Sequence, residues 1–503
     1  MKKNDWPYFI VILALFVGCY TFTFNSKVEV LGDNAKYYTL GKSLASGTGY
    51  TDLSNVSLKP DNYFPPGYPV IVATSIKFST GSFKSVKITN GILLLASAFI
   101  VFLLFDKLTQ EKNLAVVIAA LFLMNSHFLY YASLMMSEIT FTFFSLLTLY
   151  FLVQADFQKS PWKEKYFWFS LLALSYSYHT RTIGIALFGG ILLFLIVSKN
   201  WKYLLSYFAG FVVLALPWYL RGKSIGSNSY LTHLFMKNRY RPEEGVVSVS
   251  DMINRFGENF QRYLTKEIPN GIFPFVEVDY KTTGFGDWMI GLVIVGLIVY
   301  GITKLGEFNW LLFSYLLGTF GILLLWPEIF IGVRLVLPVI PILMGLFIYG
   351  LYQLIIFSLD KLTIKFSFNP LILSIFILFF LPEVKALNEK SYQRLSTNWK
   401  NYYEVAEWAK KNTPEGSVIA CRKPSLFHLY SERFTNYYKY TPEDQVLLED
   451  LKKKQVDYVV IDQLGYSSTV RYLYPAVQNN PLHFQVVYKT DNPETYLLKF
   501  QYP

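Results

Sequence analysis

The sequence predicts an all-α polytopic membrane bundle of about eleven helices, with a small α/β domain outside the membrane at its C-terminus. Three observations predict it. Of 503 residues, 53% are hydrophobic and only 16% are charged, with a mean hydropathy of +0.31. A soluble domain carries about 25% charged residues, so much of this surface faces lipid. The apolar residues fall in long runs, and the lysines fall in short clusters between them. The last stretch, Pro382–Pro503, instead alternates helix and strand patterns.

A span needs about 20 apolar residues to cross the hydrocarbon layer. The runs that serve are Trp6–Phe24, Val86–Phe105, Leu114–Tyr131, Ile139–Val153, Trp201–Leu220, Trp288–Ile302, Trp310–Trp326, Leu335–Phe357 and Pro370–Leu381. Tyr166–Val197 is too long for one helix and is interrupted by His179-Thr180-Arg181-Thr182, so it reads as a hairpin of two. The first run lacks a small-x-small cleavage site, its end being Thr21-Phe22-Thr23-Phe24, and reads as a retained helix. Tyr68–Phe78 is too short to cross and is expected to be interfacial or re-entrant.

Charge sets the expected orientation. With the N-terminus inside, the inner loops carry Lys107 and Lys112, then Lys159, Lys163 and Lys165, then Lys199 and Lys202, then Lys304, then Lys361 and Lys365. The outer turns 126–137 and 326–331 carry no Lys or Arg, which satisfies the positive-inside bias. An odd number of spans then puts the tail outside, beside the loops Asn25–Ser85 and Arg221–Asp287. The expected division is a membrane unit, 1–384, and an outer α/β unit, 385–503. In the latter a helix is predicted over Tyr402–Lys411, a strand over Ser417–Ala420, a helix over Pro442–Lys454 and a strand over Asp457–Asp462.

The net charge of +11 does not point to nucleic acid, because the basic residues sit where a membrane protein needs them for orientation. Cys19 and Cys421 give neither a zinc spacing nor a convincing disulfide. No Gly-rich phosphate loop is present.

Four clusters gather at the predicted outer ends of spans. Gly32-Asp33-Asn34-Ala35-Lys36-Tyr37-Tyr38 opens a helix, where Asp33 serves either as an N-cap or as a carboxylate at the membrane rim. Tyr63-Phe64-Pro65-Pro66-Gly67-Tyr68-Pro69 is a rigid aromatic corner suited to the water–lipid interface. Met136-Ser137-Glu138 starts a span, with Ser137 placed to cap and Glu138 in the first turn. An ionisable group at the edge of an apolar span is also a functional candidate. The fourth cluster is basic, with His179 and Arg181 at the hairpin turn and Arg334 interrupting an apolar run. Arg334 must snorkel or find an anion, either a phosphate or one of Glu328, Glu138 and Asp33. A transporter would place such groups midway through its spans.

In order and side, these landmarks resemble the GT-C superfamily of polyprenyl-phosphate-dependent glycosyltransferases. The similarity is greatest to the branch of protein O-mannosyltransferases and the lipid A aminoarabinose transferase. The residues that carry it are Asp33, the corner Pro65, Pro66, Tyr68 and Pro69, then Glu138, Arg181, and Arg334 ahead of Pro338 and Pro341. Two departures stand out: Asn34 where many relatives have a second acidic residue, and Phe64 where some have a Lys, Lys59 being only nearby.

The resemblance implies a sugar on a polyprenyl phosphate of the undecaprenyl type, transferred at the outer face of a bacterial plasma membrane. The acceptor class is open among lipid A, another glycolipid, a wall or surface polysaccharide and a protein. It implies Asp33 and Glu138 as catalytic, with Arg181, Arg334, Lys59 and His179 around the donor phosphate. Tyr37, Tyr63, Pro65, Pro66 and Tyr68 would line a substrate loop. No cofactor is expected, two scattered carboxylates being a thin set for a divalent metal. The alternatives are a transporter or flippase of lipid-linked saccharides and a scaffold whose tail binds a partner. In the tail, Tyr437, Tyr438 and Tyr440 suit either sugar stacking or a Tyr-rich strand in the core.

Overall fold

The computed structural model describes residues 5–28, 30, 32–58, 60–79, 81–226 and 234–501. Helix α1 (Trp6–Thr23) leads into α2 (Asp33–Ala45) and α3 (Gly67–Lys77), both lying in the loop after the first span. The bundle continues with α4 (Phe83–Thr109), α5 (Lys112–Met124), α6 (Ser126–Ala132), α7 (Glu138–Gln154), α8 (Lys165–Thr180), α9 (Gly184–Val197) and α10 (Trp201–Ile225). Within the middle loop lie α11 (Val249–Arg262), a π turn and α12 (Ile268–Ile272), and after it come α13 (Phe285–Thr303), α14 (Asn309–Leu325), α15 (Ile340–Lys361) and α16 (Ile377–Tyr392).

Every apolar run named above is helical, and the break at Arg181 separates α8 from α9 as the hairpin reading requires. The count of eleven spans is not established. Among the described residues, seven helical stretches are long and apolar enough to cross a membrane, or eight when α5 and α6, bent by 58°, form one broken span. Helices α7 and α9 are apolar but shorter. Lipid-facing character is written on the outer helices: α10 exposes Leu205, Phe208, Val213 and Leu216, whereas α15 at the centre is buried along most of its length.

Helix α11 was not anticipated. Its sequence is polar overall, yet Val249, Ile253, Phe256 and Phe260 share one exposed face, the pattern of a helix lying in an interface plane. Its other face braces the bundle. Asn259 donates through Nδ2 to the carbonyls of Leu323, Leu324 and Trp326, satisfying orphan acceptors at the end of α14. Buried Arg255 donates to Glu328 at 2.8 Å and to the carbonyls of Leu234 and Met236.

The C-terminal unit comprises α17 (Thr397–Asn412), β1 (Val418–Ala420), α18 (Pro424–Ser431), β2 (Phe434–Asn436), α19 (Asp444–Lys453), β3 (Tyr458–Ile461), α20 (Tyr474–Asn479), β4 (Phe484–Lys489) and β5 (Tyr496–Phe500). The five strands form one sheet in the order β2-β1-β3-β5-β4, with the first three parallel and the remaining pairs antiparallel. The expected helices and strands all appear within a few residues; the second helix starts at Asp444 rather than at Pro442. The Tyr-rich segment is not a strand, because β2 ends at Asn436, just before Tyr437.

This unit is fastened to the first loop of the membrane unit. Thr435 donates its N–H to the carbonyl of Ser54 at 2.7 Å, and Asn55 donates to Asn436 at 2.8 Å. A shared core joins Val28, Ala35, Tyr37 and Tyr68 to Tyr402, Ile419 and Phe427.

Candidate active site

Four charged side chains from four separate segments meet at one end of the bundle. Glu138, the first residue of α7, is fully buried, and its Oε1 accepts from Arg181 Nη1 at 2.7 Å and from Arg334 Nε at 2.6 Å. Arg334 then donates through Nη2 to Asp33 Oδ2 at 2.9 Å. The result is an alternating row of Arg181, Glu138, Arg334 and Asp33. Burying a charge costs several kcal/mol unless it is paired, and Glu138 meets that condition with two guanidinium groups. Its second oxygen, Oε2, is buried with no hydrogen-bond partner among the described residues. At the other end of the row, the Asp33 side chain retains 40% of its exposure. Only this carboxylate of the two is open to an incoming group.

Local sequence explains these placements. Asp33 is the first helical residue of α2 and not its cap; that position belongs to Gly32, at φ +90°. Asn34 instead takes the local bond, its Oδ1 accepting from the Gly32 N–H at 3.1 Å, which leaves the Asp33 carboxylate for Arg334. Ser137 occupies the cap position of α7 but makes no capping bond, because its Oγ lies 3.1 Å from the Tyr37 hydroxyl. Arg181 is the residue at which α8 stops, its backbone extended between the two helices of the hairpin. Arg334 stands in a short 3-10 turn ahead of α15. Its alternative partner, Glu328, is taken by Arg255.

One turn beyond Asp33, Lys36 pairs with Asp52 and, at 2.9 Å, with Asp61. Asp61 in turn accepts from the N–H groups of Tyr63 and Phe64. The proline corner is thereby tied to the helix that carries Asp33. It is tied to the hairpin as well. Tyr176 donates to the Gly67 carbonyl at 2.9 Å, and a Cβ at Gly67 would stand 2.4 Å from Thr180 Oγ1 and 2.8 Å from the His179 carbonyl. Only glycine fits there.

The remaining expected residues divide. Tyr63 reaches the charged region, its hydroxyl hydrogen-bonded to Arg239 and its ring 5.0 Å from that guanidinium. Tyr37 and Tyr68 do not line an open loop: both are buried, their rings edge to face at 5.0 Å, with Tyr68 accepting from Asn90. Pro65 and Pro66 hold the corner, Tyr50 bonding the carbonyls of Phe64 and Pro65. His179 bonds the Ser175 carbonyl through Nδ1 and borders a cavity of about 300 Å³ lined by Pro66, Gly67, Val70, Leu172, Ser175 and Tyr176. Lys59 lies outside the described residues.

Sequence reading missed Arg239, Arg422 and Lys423. The last two follow β1, and Lys423 reaches back to Gly32, its Nζ 3.4 Å from where a Cβ of that glycine would stand. The adjacency of Arg422 and Lys423 in an otherwise apolar strand end was the available signal.

The fold is shared with solved membrane proteins of low sequence identity. ArnT from Cupriavidus metallidurans bound to undecaprenyl phosphate superposes with a TM-score of 0.60 at 12% identity, covering 98% of each chain. The same protein in the apo state gives 0.60 at 11%, covering 99% of this chain and 98% of the other. The oligosaccharyltransferase of Archaeoglobus fulgidus in complex with Zn and sulfate gives 0.60 at 14%, covering 98% of this chain and 73% of that one. More narrowly, residues 39–231 match the family model of dolichyl-phosphate-mannose-protein mannosyltransferases. No curated protein sequence matches the chain significantly. Among the described residues, no three His, Cys, Asp or Glu side chains converge to hold a metal, and both site carboxylates are engaged by Arg334.

Proposed function

We propose that this protein is a membrane glycosyltransferase that moves a sugar from a polyprenyl phosphate to an acceptor hydroxyl at the outer face of a bacterial plasma membrane. The observation that carries the reading is the row Arg181–Glu138–Arg334–Asp33, buried at one end and open at the other. Asp33 is the base. It takes the proton as the acceptor oxygen attacks the anomeric carbon, and the bond from that carbon to the donor phosphate oxygen breaks. Polyprenyl phosphate leaves with the bonding electrons.

Arg334 uses Nε and Nη2 on the carboxylates, so its Nη1 remains for a phosphate oxygen, and Arg181 has donors beyond Nη1. Preorganised donors of this kind are worth about 3 kcal/mol each when charge builds on the leaving group. Glu138 is a positioning residue in this scheme, since its oxygen fixes both guanidinium groups before substrate arrives. The apolar cavity beside Pro66, Val70 and Leu172 suits the first isoprene units of the donor, with His179 at its edge. The outer unit, 385–503, closes over this site. No step requires a metal. The sugar is a hexose or a pentose, and the acceptor a glycolipid, a polysaccharide or a protein.

The test is sugar transfer by the purified protein in detergent, with a panel of undecaprenyl-phosphate sugars and a host-membrane extract as acceptor. Release of undecaprenyl phosphate by wild type, lost in Asp33→Asn, is the expected result. Labelled lipid crossing the bilayer of proteoliposomes with no donor consumed would replace the transferase with a flippase.

A further inference from the structure

The C-terminal unit presents a second concentration of charge beside Asp33, and there the charge is unbalanced. Arg422 is only 8% exposed, yet its guanidinium forms no ion pair and no hydrogen bond among the described residues, and its Nε is buried without a partner. What surrounds it is aromatic: Tyr466, Tyr440 and Tyr240 have ring centroids 4.4, 5.6 and 5.8 Å away. Lys423 also stands over the Tyr466 ring, at 4.6 Å. Arg239 adds a third cation, held against Tyr63. Tyr437, half exposed, feels the charges of both Asp33 and Arg422.

Two other buried arginines show what a structural guanidinium looks like in this protein. Arg433 donates to Thr413 Oγ1, the Thr413 carbonyl and the Lys410 carbonyl. Arg255 has Glu328 and two carbonyls at bonding distance. Arg422 has neither kind of partner. Cation–π contact offsets at most about 2 kcal/mol, while removing a charge from water costs several. Asp462 senses Arg422 but spends its oxygens on the Leu464 N–H and the Thr469 hydroxyl. Burial and the neighbouring Arg422 push the Lys423 ammonium down to about 8, against the upward pull of Asp33 and Asp462. A site that holds cations this uncomfortably is one that an anion completes.

We propose that Arg422 and Lys423 form an acceptor subsite for a phosphate or carboxylate carried on or next to the sugar that receives the transferred residue. Tyr437, Tyr440 and Tyr466 supply faces for its ring. The acceptor, in place of the donor, is assigned here because the proposed donor phosphate already has Arg181 and Arg334, and the apolar cavity is lined by His179, two residues before Arg181. Lys423 approaches Asp33 from the C-terminal unit, through Gly32. The assignment rests on the transferase reading, and its test needs no turnover.

The full-length protein in detergent is titrated with glucose 6-phosphate, with glucose and with undecaprenyl phosphate, followed by saturation-transfer NMR. The expected result is that wild type prefers glucose 6-phosphate to glucose by about tenfold or more, as a charge-assisted contact provides. Arg422→Gln loses that preference and keeps its affinity for undecaprenyl phosphate. Lys423→Gln, at a less buried position, repeats the measurement in case the first variant unfolds. Equal binding of the two sugars by wild type overturns the proposal. So does a variant that loses undecaprenyl phosphate and retains glucose 6-phosphate, which would hand these cations to the donor. A protein that consumes no donor but shows the charge preference defeats the transferase reading and not the anion site.

Discussion

The row Arg181–Glu138–Arg334–Asp33 and the cluster Arg239–Arg422–Lys423 both come within reach of the same aspartate, and they solve opposite problems. In the row, two guanidinium groups face two carboxylates, each bond between 2.6 and 2.9 Å. In the cluster, two arginines without an ion pair and a lysine of depressed basicity rest on tyrosine rings. A balanced row is rigid before any substrate comes, which suits groups that must point at a leaving phosphate. An unbalanced cluster holds its charges for something that is not yet there. The difference teaches that a charge's partners, rather than its mere presence near a site, separate scaffold from recognition.

Three variants sharpen that contrast. The largest effect is expected from Asp33→Asn, which should lower transfer by a factor of about 10² to 10⁴, the usual contribution of a general base. Its side chain is 40% exposed, and exposed pairs contribute about 1 kcal/mol or less, so its melting temperature should stay close to wild type. Glu138→Ala should behave in the reverse manner. Leaving Arg181 and Arg334 facing a void costs about 3–5 kcal/mol, seen as a large fall in thermal stability in detergent. Equal stability of the two variants would erase the distinction between an open and a buried carboxylate. Next comes Asn259→Ala, which strips the carbonyls of Leu323, Leu324 and Trp326 of their donor and should cost about 1–3 kcal/mol. As Arg334 follows that segment, activity should fall in step with stability.

The smallest expected effect is on pH. The Lys423 ammonium is lowered from 10.5 to about 8, with Arg422, Asp33, Asp462 and the Tyr466 ring facing it. Its charge is therefore lost as pH rises through about 8, well before a solvent lysine loses its own. Affinity for glucose 6-phosphate should accordingly fall between pH 7 and pH 9, by less than about tenfold, since only one of the two cations that face the anion is lost. In Lys423→Gln the dependence should disappear. The same shift makes folding stability rise from pH 8 toward 10.5, because over that window the unfolded chain binds the extra proton.

Much of this architecture was legible in the sequence. Apolar runs ending at Trp, Lys and Pro located the helices within a few residues, because the hydrocarbon layer admits little else. Asp33, Glu138, Arg181 and Arg334 were legible for a related reason: a charge beside an apolar span is conspicuous. Their pairing was not, since Asp33 and Arg334 lie 301 positions apart. Nor could the sequence show that Tyr37 and Tyr68 turn inward, because an aromatic at a membrane rim is equally at home in a core and at an interface. Arg422 and Lys423 escaped notice because a basic pair in a water-facing domain is ordinary. Arg422 becomes unusual only once burial removes the water and, among the described residues, no carboxylate replaces it. Helix α11 was hidden by its polar composition; its apolar stripe is one residue wide.

The row's bonds span 43, 196 and 301 positions of chain, and this sets an order of events at the ribosome. Glu138 and Arg181 emerge close together, so the buried carboxylate can enter the bilayer already neutralised by the hairpin that follows it. Arg334 arrives only after six more helices, α9 to α14, have been made, and Lys423 nearly at the end. A partly synthesised chain can thus hold its most costly charge safely, while the face that would meet substrate is assembled last.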